Sequence, residues 1–134
     1  MRYILDMSEE QACQVDKALE LYARLRMGQW NELIDLCLDY SDKDFCEKRD
    51  VLQQKLMDAR KAAYPELHGV GHSYGVGRFE DADSAFEIHK VLRNKIAWTN
   101  HPEGGFGVDF DPPYSFCGHE LAKCEAIPED SEEA

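Results

Sequence analysis

Phe86, His89 and Arg93 stand three and four residues apart, the spacing that brings side chains onto one face of a helix. A ring, an imidazole and a guanidinium on one stripe suit an adenine and a phosphate. The ring stacks on the base, and the guanidinium fork holds the anion in a bidentate grip that a lysine cannot copy. The plain reading of the same residues is a mixed surface face, because such spacings are common on helices. Just upstream, Gly71-His72-Ser73-Tyr74-Gly75 offers backbone N–H groups, a hydroxyl and a ring. Glycine-rich turns of this kind can cradle phosphates, and they also serve as simple connections. A third cluster, Arg24, Arg26, Met27, Gln29 and Trp30, gathers where a helix should end. Cations there offset the helix dipole whatever else they do. Arg24 and Arg26, two apart, cannot share a face, so one of them turns to solvent or to a partner subunit.

Other chemistry finds little support. His68 and His72 form an H-x-x-x-H pair, but the glycines between and around them deny it the helical face a metal needs, and no third ligand stands nearby. Nucleophile elbow, P-loop, dinucleotide fingerprint and H-E-x-x-H are all missing, so neither an enzyme nor a cofactor is expected. The cysteines, Cys13, Cys37, Cys46, Cys117 and Cys124, are odd in number and lack a C-x-x-C pair. Idle thiols are expected, Cys13 and Cys37 on apolar faces of helices, rather than a disulfide framework.

The net charge of −12 repels a nucleic-acid backbone and disfavours binding to a DNA or RNA polymer. It leaves room for a local arginine pocket around a small anion. An apolar fraction of 43% supports a core without disulfides, and no apolar run is long enough to span a bilayer. The opening MRYILDMSEEQ does not read as a signal peptide, so the cytoplasm is the expected compartment. One domain over residues 1–127 is expected, followed by an acidic, disordered tail over 128–134.

These clusters need elements to position them. Arg2 to Met7 reads as a strand. Ser8 and Gln11 form a capping-box pattern that opens a helix from about Glu9 to Met27, with Ala12, Val15, Ala18, Leu19, Tyr22 and Leu25 as its apolar face and Gly28 as a left-handed stop. Further helices are predicted from Trp30 to Leu38, from Lys43 to Ala63, and from Asp83 to Thr99. The third carries Phe45, Leu52, Leu56 and Ala59 as its apolar stripe, and the last buries Ala85, Ile88, Leu92 and Ile96. Four glycines between Leu67 and Arg78 make that stretch a loop. Phe106–Phe110 alternates like a strand, and Leu121–Ile127 reads as another. The expected fold is therefore α+β, a mainly helical body packed on a small antiparallel sheet.

The same segments resemble a family from bacteriophages and prophages, the Thoeris anti-defence sponges of the first type described. Its first helix reads A-L-x-x-Y-x-R-x-x-M-G-Q-[FW]-x-E-[LI], here Ala18-Leu19, Tyr22, Arg24, Met27-Gly28-Gln29-Trp30 and Glu32-Leu33. A middle S-Y-G-[IV] corresponds to Ser73-Tyr74-Gly75-Val76. A later A-[FWY]-[DE]-I-x-x-V-[IL]-R-x-[KR]-[IL]-[AS]-W corresponds to Ala85-Phe86-Glu87-Ile88, Val91-Leu92-Arg93 and Lys95-Ile96-Ala97-Trp98. His72 and Lys90 depart from the pattern, which more often has a neutral polar residue and a glutamine. The resemblance implies a phage protein that binds glycocyclic ADP-ribose immune signals and holds them uncleaved. Some members also bind the cyclic oligonucleotides of CBASS immunity, at separate sites that form when dimers assemble into hexamers. Residues and resemblance together nominate Arg93, His89, Phe86, Tyr74, Ser73, His72, Arg24, Met27 and Gln29 as ligand-binding, with Arg93 on the phosphate.

The alternative is an acidic inhibitor that occupies a basic site on a host protein, and a more remote one is an enzyme of nucleotide metabolism. A homo-oligomer, dimer or hexamer, is expected from the resemblance and from the apolar and aromatic groups at Leu21, Tyr22, Met27 and Trp30.

Overall fold

The structure, a computed structural model, describes residues 1–116 and 118–129. Cys117 and residues 130–134, most of the acidic tail, lie outside the described residues. The elements are α1 (Glu9–Arg26), α2 (Glu32–Cys37), α3 (Phe45–Ala63), α4 (Glu80–Asn100) and a short 3-10 turn at Val108–Phe110.

Local chemistry sets the ends of α1. The Ser8 hydroxyl accepts the Gln11 N–H at 3.2 Å, and the Gln11 side chain accepts the Ser8 N–H at 3.0 Å. These reciprocal bonds satisfy donors that an uncapped helix leaves open. At the other end the Gly28 and Gln29 amides turn back to the carbonyls of Leu25 and Arg24, at 3.1 and 2.9 Å. That double closure is a Schellman stop, and it requires the positive φ of +89° that Gly28 adopts.

The body is the antiparallel pair α1–α4. Asp16 faces His89 near the middle of the pair, and Tyr22 faces Asp81 near one end. Small residues at the crossing, Ala23, Ala82 and Ala85, let the backbones approach, and Met27 fills the end of the core against Tyr74 and Phe79. Apolar burial here removes the side chains from water and drives the pairing. The buried face of α4 also differs from the expected one: His89 is buried and Ile88 is exposed.

The expected sheet is absent. Among the described residues there is no strand, and the chain is helical rather than α+β. Arg2–Met7 takes no regular structure and joins no ladder among the described residues, and Ile4 is 95% exposed. A β-rich run expresses a local preference, and a strand needs a second one to bond with. Phe106–Phe110 is bent instead: Gly107 sits at φ +110°, and the next three residues close a 3-10 turn. Trp98 fixes that bend by donating its indole N–H to the Phe110 carbonyl at 3.2 Å. Leu121–Ile127 is irregular.

Two further expectations change. Met27 is only 5% exposed, so it serves the core of its own chain rather than an oligomer surface. Cys37 is exposed, while Cys13 is half-buried. No helix of the described residues is long and apolar enough to cross a membrane.

Candidate functional site

The nine nominated residues fall into two patches along the α1–α4 pair. From Phe79, beside the first turn of α4, to Arg93 is 14 residues, or about 21 Å at 1.5 Å per residue. Arg93 therefore lies far from the glycine-rich loop, while Arg24 and Gln29 adjoin Met27 at the end of α1.

The first patch is a polar ladder between the helices. His89 is 2% exposed, with Nδ1 at 2.6 Å from an Asp16 carboxylate oxygen. Its Nε2 faces an Arg93 guanidinium nitrogen at 3.3 Å and Glu20 at 3.4 Å. The Asp16 carboxylate can only accept, so the Nδ1 proton points to it. Glu20 continues the ladder to Arg24 at 2.8 Å, and Arg24 donates onward to the Gln29 side chain at 2.7 Å. Arg24 also lies 3.5 Å from Glu32. Phe86 stands beside the His89 ring, centroids 5.5 Å apart. Phe86, His89, Arg93, Arg24 and Gln29 are thus joined in one run, with Glu20 bridging His89 and Arg24. Arg93 is half-buried and reaches Asp109 at 3.6 Å through Nε, so an arriving phosphate competes with one exposed carboxylate.

The second patch closes the end of the pair. The Tyr74 N–H donates to the Met27 carbonyl at 2.8 Å, which ties the glycine-rich loop to the α1 stop. The Tyr74 ring packs edge-on against Tyr64 and Phe79, at 5.4 and 5.3 Å between centroids, and its hydroxyl bonds to Glu66. Ser73 is half-buried beside it. His72 is exposed, and its Nδ1 accepts the His68 N–H at 2.8 Å, so that ring nitrogen is engaged. Among the described residues no three His, Cys, Asp or Glu side chains converge as metal ligands.

Arg60, at the end of α3, holds this loop. Its guanidinium is 3% exposed and donates to the carbonyls of Gly28 (3.1 Å), His72 (2.8 Å) and Gly69. Three backbone acceptors, one at the α1 stop and two in the loop, are thereby locked by one planar fork.

Two arginines flank Phe79. Arg26 lies 3.8 Å above the ring and Arg78 lies 5.2 Å from its centroid, with Arg78 also 5.1 Å from Tyr74. Arg26 is paired with Asp81 at 3.2 Å and with the Tyr64 hydroxyl at 3.3 Å. Arg78 has no carboxylate partner among the described residues. The bond from Tyr22, together with Arg26, holds the Asp81 carboxyl below its ordinary value, and the bond to Asp81 pushes the Tyr22 hydroxyl up.

No protein-family model, curated protein or solved structure matches this chain.

Asp16, Glu20, Arg60, Arg78 and Phe79 were not legible as site residues from the sequence. For two of them a signal existed: Asp16 and Glu20 interrupt the apolar face of α1 at a four-residue step. Two acids on a buried face call for a buried partner, and His89 is that partner. Nothing local marks Arg60, whose role depends on carbonyls from two distant segments.

Proposed function

We propose that this chain binds and sequesters cyclic nucleotide signals, glycocyclic ADP-ribose isomers and, at a second site, cyclic oligonucleotides, without cleaving them. The observation that carries this reading is Arg78. In a chain of net charge −12 the overall field opposes any anion, so binding depends on local donors. Arg78 is exposed, lacks an acidic partner among the described residues, and lies over the rings of Tyr74 and Phe79. An exposed cation beside half-buried rings offers a nucleotide a fork for a phosphate and an aromatic edge beside it for the base. The resemblance to the anti-defence sponges supports the same reading. It points to Arg93, beside Phe86, for a second phosphate contact, with the buried His89 supporting Arg93 from behind rather than meeting the ligand.

Holding without cleaving accords with the chemistry of the buried groups. His89 and Asp16 form a hydrogen-bonded dyad, but the imidazole is sealed between helices and has no path to a substrate. Sequestration in the host cytoplasm by a homo-oligomer belongs to the same proposal. Calorimetric titration of the folded protein with a panel of cyclic nucleotides tests it. Saturable binding and recovery of intact ligand after heat denaturation are the expected results. A hydrolysed product formed beyond one turnover per site would make the chain an enzyme. Indifference to every nucleotide would favour the protein-binding inhibitor.

A further inference from the structure

α3 is the least supported element of the fold. It runs 19 residues, about 28 Å, and among the described residues it touches no helix but the six-residue α2. Only Arg60, at its far end, is buried. Helices of this length are marginal in water when their apolar face has nothing to pack against. Yet α3 carries such a face. Val51 is 57% exposed, and with Leu52 and Leu38 it lines an open apolar groove between α2 and α3.

The charges along that groove are self-complementary. Glu47, Val51 and Lys55 follow at four-residue steps on one stripe, an acid at one end, a base at the other and an apolar residue between them. The side chains of Glu47 and Lys55 have no hydrogen-bond or ion-pair partner among the described residues. Lys48, beside them, is engaged with Asp42 at 3.1 Å. Under twofold symmetry each residue meets its mirror in sequence about the axis. With the axis at Val51, Val51 meets Val51, Glu47 meets the partner's Lys55, and Lys55 meets the partner's Glu47. One apolar contact and two ion pairs form from a single stripe.

We infer that α3 pairs antiparallel with α3 of a second copy of this chain, centred on Val51. The sequence also selects the crossing. Asp44 and Asp58 lie seven residues either side of Val51, so a closely aligned pair would set them against each other. An inclined crossing of about −50° confines contact to the central turns and splays those acids apart. This surface supplies an interface for the oligomer expected above. It stands independently of what the chain binds.

The experiment is charge reversal, read by sedimentation velocity at micromolar concentration. The wild-type chain is expected to sediment as a dimer or a multiple of one. Glu47→Lys sets lysine against Lys55 twice, and Lys55→Glu does the same with acids. Each is expected to weaken this association tenfold or more and to halve the mass. The double variant Glu47→Lys/Lys55→Glu restores opposite charges and should restore the mass. All three changes are on exposed positions, and circular dichroism confirms that the variants fold. A monomeric wild type, single reversals without effect, or a double variant no better than the singles would each overturn the pairing.

Discussion

Asp16 and His89 lie 73 residues apart in sequence and 2.6 Å apart in the structure, on facing sides of the α1–α4 pair. The imidazole is enclosed, so its Nδ1 has no water to replace the carboxylate. Asp16→Ala should therefore cost about 1–3 kcal/mol, the cost of an unsatisfied buried donor. Urea denaturation followed by circular dichroism measures this, and an unchanged midpoint would show that the pair contributes nothing.

Gly28 gives a second prediction. Its φ of +89° disfavours any side chain, and an added Cβ would lie 2.5 Å from Leu67 Cδ1. Left-handed strain of about 1–2 kcal/mol and crowding of similar size should make Gly28→Ala destabilising by about 2 kcal/mol or more. Gly71→Ala is the control, since its site is open and it is not at positive φ. It should be neutral or slightly stabilising in the same thermal melt.

Arg60→Lys tests the loop anchor. An ammonium is a point charge and cannot reach three carbonyls set by a planar fork. The loop at 67–72 should open more often while the α1–α4 pair stays closed. Hydrogen exchange should accelerate at the His68 and His72 amides, which donate within this loop, and not at the amides of the α1–α4 core. Uniform exchange rates would remove Arg60 from this role.

These residues show what was legible in the sequence. The four helices were, because their signals are local: the Ser8–Gln11 box, the Gly28 stop, the three- and four-residue apolar steps. Boundaries moved by a few residues; α4, for example, begins at Glu80 rather than Asp83, gathering acids at its positive end. The sheet was not legible. Tyr3 and Ile4 state a preference for extended backbone, while the partner that makes a strand lies beyond any local pattern. The Phe86–His89–Arg93 stripe was found, but its direction was misjudged. Asp16 and Glu20, far away in sequence, make the buried seat for His89 acceptable.

The pH dependence follows from Tyr22 and Asp81. Asp81 is held below its ordinary 3.8, so its contribution is present above that value and lost as pH falls through the lower folded value. Tyr22 is raised above 10.0, so its contribution is present below that value and lost as pH rises through the higher folded one. Tyr22→Phe should flatten both the acid and the alkaline limb of a stability–pH curve. Limbs identical to wild type would show that the bond does not persist in solution.

Arg93→Ala addresses the ladder patch. It removes a fork that a phosphate can share with Asp109, and the affinity of the nucleotide held there should fall by about 1.5–3 kcal/mol. Binding at the loop patch, about 21 Å away along α4, should be unaffected. Unchanged affinity for every nucleotide would leave Arg93 a purely structural partner of His89 and Asp109.

The most direct test of nucleotide capture is calorimetry on wild-type and Arg78→Ala protein, titrated with cyclic ADP-ribose isomers and cyclic oligonucleotides. The wild type should bind at least one of them saturably. Arg78→Ala, which breaks no ion pair within the described chain, should fold normally and bind that nucleotide roughly tenfold or more weakly. No binding by the wild type, or equal affinity in the variant for every nucleotide bound, would contradict the account.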